Sequence, residues 1–113
     1  MTYRKVVKAS EVTGVDVKNK AGESLGKINE VVINKGTGKI SYLVLNFGGH
    51  LGFGNKFFAV PWQSFAYDKK EDCFVLNVEK ERLKQAPGFD KNHWPNFADR
   101  SVSEEIIEFY RIH

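Results

Sequence analysis

Cysteine and histidine are scarce in this chain, and their scarcity excludes several kinds of chemistry. Among 113 residues there are one cysteine, Cys73, and three histidines. A single thiol cannot form an internal disulfide, so nothing points to an oxidising compartment. His50, His93 and His113 each stand alone, without a second ligand at the short spacings that zinc sites use. We therefore expect neither a bound metal nor a cofactor.

Long hydrophobic runs are also missing. No segment approaches the ~20 apolar residues that a membrane-spanning helix needs, and the longest candidate, residues 42–47, has the length of a strand. The N-terminal residues carry charge but are not followed by an apolar stretch of signal-peptide length. We expect a cytoplasmic protein that does not insert into a membrane.

Patterns that would indicate catalysis are incomplete. The Gly-Thr-Gly-Lys stretch at residues 36–39 lacks the first glycine and the final hydroxyl residue of a P-loop. The glycines at residues 52–54 precede a predicted strand, so no helix N-terminus is present there to receive a phosphate. Cys73 lies in an apolar strand, where burial would raise its pKa and keep the thiol inert. The sequence predicts that the protein is not an enzyme and has no catalytic residues.

Positive charge is concentrated in the first half of the chain. The net charge is +3; residues 1–56 hold 9 Lys and Arg against 4 Asp and Glu, and residues 57–113 hold 8 against 10. A basic half is compatible with an RNA or ribosome partner. The lysines are dispersed singly at predicted turns and strand ends, however, which is typical of a solvated surface.

Alternating hydrophobic segments separated by glycine-rich turns predict a mainly β protein. The predicted strands cover residues 15–18, 25–34, 40–47, 57–62, 65–67 and 73–78, which indicates a small closed antiparallel β-barrel of about six strands. Gly26 lies inside a strand and is expected at a bulge or barrel corner. We expect a central core of Leu25, Ile28, Val44, Phe47, Val60, Phe74 and Leu76.

The sequence changes character after residue 78. We divide the chain into a barrel, residues 1–78, and a C-terminal extension, residues 79–113. The extension comprises a short helix, an aromatic loop and a terminal helix that begins with a capping box of Ser101 and Glu104. The third predicted strand is apolar on both faces, and one barrel interior buries only one of them. We therefore expect the extension to hold together a homodimer; the alternative is an extension folded back on its own barrel.

Several fragments taken together resemble the PRC-barrel domain family. They are Val15-Asp16-Val17, the stretches at residues 22–28, 38–44 and 47–49, Gly52, and Ala59-Val60-Pro61-Trp62. The family is known from the cytoplasmic domain of the photosynthetic reaction centre H subunit and from a ribosome maturation factor. Residues 86–97 and 108–110 look like the extension of its small stand-alone bacterial members. The chain departs from the H subunit in having no membrane helix, and from the ribosomal factor in having no preceding RNA-associated domain.

The resemblance implies a non-catalytic protein-interaction or assembly module with an unidentified protein partner, and the two-faced third strand favours self-association. The alternatives are an RNA- or ribosome-associated adaptor and a small-ligand binder. Apolar side chains on a glycine loop and on the extension are the candidate contact residues. They are His50, Leu51, Phe53, Trp94, Phe97, Phe109 and Tyr110.

Overall fold

The computed structural model describes residues 6–48 and 55–111, which form six strands and three helices. The strands are β1 (Asp16–Lys18), β2 (Ser24–Asn34), β3 (Lys39–Gly48), β4 (Asn55–Pro61), β5 (Phe65–Asp68) and β6 (Cys73–Leu76). The helices are α1 (Ala9–Val12), α2 (Lys80–Leu83) and α3 (Arg100–Tyr110), and a 3₁₀ turn, Trp62–Ser64, joins β4 to β5. Within these described ranges, no helix combines the length and the apolar character that crossing a bilayer requires.

The strands form one mixed sheet in the order β4-β3-β2-β1-β6-β5, curved into a half-barrel. The expectation of a closed antiparallel barrel was wrong in two respects. In the described part of the chain the end strands β4 and β5 are not paired with each other, and β1 pairs with β6 in parallel. The cause is the 3₁₀ turn, which interrupts the succession of hairpins after Pro61. β5 therefore starts a separate hairpin with β6, and that hairpin joins the sheet through β1.

The concave face of the half-barrel carries a continuous apolar core. Leu43 and Leu45 of β3 lie opposite Val60 and Phe58 of β4, and all four are fully buried. Six of the seven expected core residues are buried, while Phe47 is half-buried and packs edge-on against Phe58 at 5.8 Å between ring centroids. Alternation along the strand places Val44 on the opposite, convex face of the sheet.

Gly26 occupies a bulge in β2, as the sequence predicted. Val17 of β1 lies opposite Gly26 and Lys18 lies opposite Ser24, so that Leu25 is the extra residue. The backbone of Gly26 has φ +128°, and a Cβ there would lie 2.1 Å from the carbonyl oxygen of Asn46 in β3. Only glycine lets β2 and β3 approach this closely at the bend.

Helix α3 begins two residues earlier than expected, with Asp99 rather than Ser101 as its N-cap. The Asp99 side chain accepts hydrogen bonds from the backbone N–H and the hydroxyl of Ser101, at 2.9 and 2.8 Å, and therefore caps the helix. These bonds to Ser101 lower the pKa of the Asp99 carboxyl. The predicted capping box of Ser101 and Glu104 was wrong, because Glu104 instead accepts a hydrogen bond from Arg100 at 2.8 Å.

Replacing Leu76 by alanine tests the core. Leu76 is 1% exposed, so Leu76→Ala should lower the free energy of unfolding by ~2–5 kcal/mol through lost transfer energy and an unfilled cavity. Ile33→Ala is the matched control, because Ile33 is 52% exposed and should change stability by less than ~0.5 kcal/mol. Urea denaturation followed by tryptophan fluorescence measures both. Equal losses for the two variants would contradict this assignment of core and surface.

The bulge makes a second stability prediction. Gly26→Ala should destabilise the fold by about 3 kcal/mol or more, because the added methyl group meets the Asn46 carbonyl and the backbone must shift. Gly22→Ala separates this contact from backbone strain. Gly22 also has positive φ, +86°, but a Cβ there has open space around it, so a loss of only ~1–2 kcal/mol is expected. Thermal unfolding that ranks Gly22→Ala as the more damaging change would refute the close approach.

Candidate interaction surface

The C-terminal extension attaches to the exposed edge of β4. The Phe57 N–H donates to the Phe89 carbonyl at 2.8 Å, and the Phe89 N–H donates to the Phe57 carbonyl at 2.9 Å. The preceding Gly88 allows this approach, because a Cβ there would lie 2.8 Å from both the Phe58 ring and the Lys56 side chain. In a closed barrel β5 would pair with this edge of β4. Here the extension pairs with the edge instead.

An aromatic cluster then covers the convex face of the sheet. Phe89 lies 4.8 Å from Trp94 and 5.9 Å from Phe57 between ring centroids, and Phe97 lies 5.5 Å from Tyr42 of β3. The second apolar face of β3 is therefore buried by the extension of the same chain. This is the alternative considered from the sequence, an extension folded back on its own barrel, so an uncovered face of β3 no longer argues for a dimer.

Helix α3 packs beside this cluster and against α2. Its buried residues are Ile106 and Tyr110, and Ile106 borders a cleft together with Ala59 of β4. The guanidinium of Arg82 in α2 lies 4.5 Å above the Phe109 ring and also donates to the Phe109 carbonyl at 3.4 Å. Contacts on two sides hold the helix in place, so its backbone has a defined position relative to the sheet.

The predicted contact residues differ in accessibility. Trp94 is 41% exposed, Phe97 and Phe109 are half-buried, and Tyr110 is only 8% exposed. His50, Leu51 and Phe53 lie outside the described residues. Within the extension, Trp94 is thus the predicted residue that offers most of its ring to a partner.

A groove of about 520 Å³ runs between the β2–β3 hairpin, the 3₁₀ turn and the last turn of α3. Its apolar lining comes from Ile40, Tyr42, Pro61, Ile107 and Tyr110, and polar side chains of the hairpin and the turn complete it. Ile107 is 47% exposed. Ile107 was not among the contact residues predicted from the sequence. It lies off the helix face that Ile106 and Tyr110 define, and an apolar side chain outside that face was the signal that could have identified it as a contact residue.

The charged residues that line the groove are cationic, Lys39 on the hairpin and Arg111 at the end of α3, and acidic residues lie elsewhere on the helix. Residues 31–48 of the hairpin contain Lys35 and Lys39 and no acidic residue. Helix α3 presents three glutamates, of which Glu104 pairs with Arg100 at 2.8 Å and Glu108 pairs with Arg111 at 3.4 Å. All four paired side chains are more than half exposed. Exposed pairs of this kind are worth little energy and exchange partners readily.

Burial affects the two tyrosines that line the groove. It raises the pKa of Tyr110, and it raises the pKa of Tyr42 against an opposing hydrogen bond with the Ser103 side chain. Among the described residues the buried Tyr110 hydroxyl has no hydrogen-bond partner. Both phenols are neutral at physiological pH.

Potential catalytic or metal-binding side chains are found elsewhere in the fold. Cys73 is buried, and burial raises the pKa of its thiol more than Lys18 lowers it, as the sequence predicted. His93 Nδ1 lies 2.6 Å from Asp90 Oδ1, and this hydrogen bond lowers the pKa of the exposed Asp90 carboxyl. Over the described ranges, His, Cys, Asp and Glu side chains form no group of three that could hold a metal ion.

The Tyr110 hydroxyl has no hydrogen-bond partner in the described structure, so its removal is not expected to destabilise the protein. Tyr110→Phe removes a buried polar group that makes no hydrogen bond within the described structure, so stability should stay the same or rise by up to ~1–3 kcal/mol. Tyr67→Phe is the control. The Tyr67 hydroxyl donates to the Asp72 carboxylate, and its loss should lower stability by ~1 kcal/mol. Chemical denaturation that shows Tyr110→Phe to be the more destabilising change would reveal a partner for this hydroxyl.

Two comparisons with known proteins bear on the chain. A search of curated proteins found no match. The family model of the PRC-barrel domain matches residues 4–83, which span α1, the six strands and α2. That match covers more than half of the 113 residues and confirms the resemblance noted in the sequence. The chain therefore belongs to the PRC-barrel domain family.

Proposed function

We propose that this protein is a non-catalytic interaction module that associates with itself. The observation that carries the proposal is the exposed Ile107 at the rim of a groove whose floor is apolar. A large aliphatic side chain on a well-anchored helix, beside Ile40 and Tyr42, forms a contact surface that needs little reorganisation on binding. Such surfaces mark interaction sites more often than scattered single apolar residues do.

Self-association is favoured over a different protein partner because both contact elements occur in the same chain. The hairpin side of the groove is cationic and α3 carries three glutamates. Two copies can therefore satisfy each other's charges, and a twofold arrangement uses each element twice.

Small-ligand binding is the second candidate. The groove volume of about 520 Å³ lies within the ~300–1,000 Å³ of typical ligand pockets. Polar side chains also converge there, including Ser41, Gln63 and Ser64. The third candidate, an RNA or ribosome adaptor, rests on Lys35 and Lys39 beside the groove and requires binding that weakens steeply with salt.

Sedimentation velocity on the full chain, from ~5 to ~200 μM, tests self-association, since a reversible dimer must respond to concentration. We expect the mass to rise from the 12.9 kDa of one chain towards twice that value. A constant mass of 12.9 kDa throughout this range would overturn the proposal. In that case, NMR signals of Ile40 and Ile107 that shift when small-molecule fragments are added would favour the small-ligand function.

A further inference from the structure

One flank of α3 carries a self-complementary pattern of side chains. Glu104 and Ile107 of the helix and Arg111, its C-cap residue, are spaced by three and four residues, so they lie along one flank. This flank borders the groove, because Ile107 and Arg111 line it. Ile106 and Tyr110 hold the helix on the sheet from a different face, which leaves the flank available.

The order of the charges selects one orientation of a second helix. Glu104 lies on the N-terminal side of Ile107 and Arg111 on the C-terminal side. A second α3 placed antiparallel, with a twofold axis between positions 107 and 108, brings Glu104 opposite Arg111 of the partner subunit. The same axis brings Arg111 opposite Glu104 of the partner subunit. A parallel second helix would bring like charges together. A twofold axis perpendicular to the two helices produces this antiparallel arrangement.

We propose that a second copy of this chain docks on this flank through antiparallel pairing of the two α3 helices. Ile107 of each copy packs at the groove of the other copy. The twofold axis creates two equivalent ion pairs, each between Glu104 of one copy and Arg111 of the partner subunit. The proposal rests on the self-association proposed above and names the surface that produces it. Lys39 also lines the groove, so the surface that receives Glu104 of the partner subunit holds a second cation besides Arg111.

The intrachain ion pairs do not compete strongly with this arrangement. Glu104 is bonded to Arg100 and Arg111 to Glu108, with side-chain exposures between 58% and 91%. A carboxylate accepts more than one hydrogen bond and a guanidinium donates several. Both residues can therefore keep their intrachain partners and gain a partner across the twofold axis. The result would be a four-residue network on each side of Ile107.

Charge reversal tests the pairing. Glu104→Arg or Arg111→Glu alone creates two like-charge contacts across the axis, and each should weaken the dimer at least ~10-fold by sedimentation equilibrium. The double variant, Glu104→Arg with Arg111→Glu, restores opposite charges and should recover affinity to within ~3-fold of the original chain. Glu105→Arg is the matched control, because it makes the same charge change on the opposite flank and should leave the dimer unchanged.

A second measurement reports proximity directly. With Cys73 replaced by serine, Ile107→Cys should form a disulfide between copies under mild oxidation, since the two positions lie beside the axis. Glu105→Cys in the same background should not. Two results would refute the α3 surface while leaving self-association intact: a dimer of the original chain whose affinity the double charge reversal does not recover, or cross-linking of Glu105→Cys as efficient as that of Ile107→Cys. A chain that stays monomeric at every concentration would overturn both.

Discussion

The pairing of Phe57 with Phe89 is the contact on which the arrangement of the C-terminal extension depends. Two backbone hydrogen bonds fix the extension to the edge of β4. From there Trp94 and Phe97 reach the convex face of the sheet, and α3 follows with Ile106 and Tyr110 buried. Without this attachment the apolar convex side of β3 and β4 would face water. The groove exists because α3 is held opposite the β2–β3 hairpin.

Much of the sheet could be predicted from local sequence. Alternating apolar residues and glycine turns identified all six strands, and Gly26 was recognised as a bulge because an interior glycine has few other uses. Closure and strand direction could not be predicted in the same way. They depend on pairing between distant residues, such as Val17 with Phe74 in the parallel β1–β6 pair, and periodicity does not encode such pairing.

The surface was predicted less completely than the fold. Trp94 and Tyr110 of the C-terminal extension were both expected to be contact residues, but Trp94 is exposed and Tyr110 is buried. An aromatic residue is suited both to burial in the core and to contact with a partner, so composition cannot distinguish a buried ring from a contact ring. Ile107 was missed although helical periodicity places it off the face shared by Ile106 and Tyr110, where an apolar side chain has no place in the protein's own core. The two apolar faces of β3 were recognised, but the chain covers both by itself.

The groove combines residues inside and outside the region that matches the family. Ile40, Tyr42 and Pro61 lie within residues 4–83, whereas Ile107, Tyr110 and Arg111 lie beyond it. The half-barrel by itself would therefore offer only one wall of the groove and no charged helix flank. If α3 supplies the second wall, the surface is a property of this combination of barrel and extension. Self-association through it need not extend to a PRC-barrel domain whose convex face is covered differently.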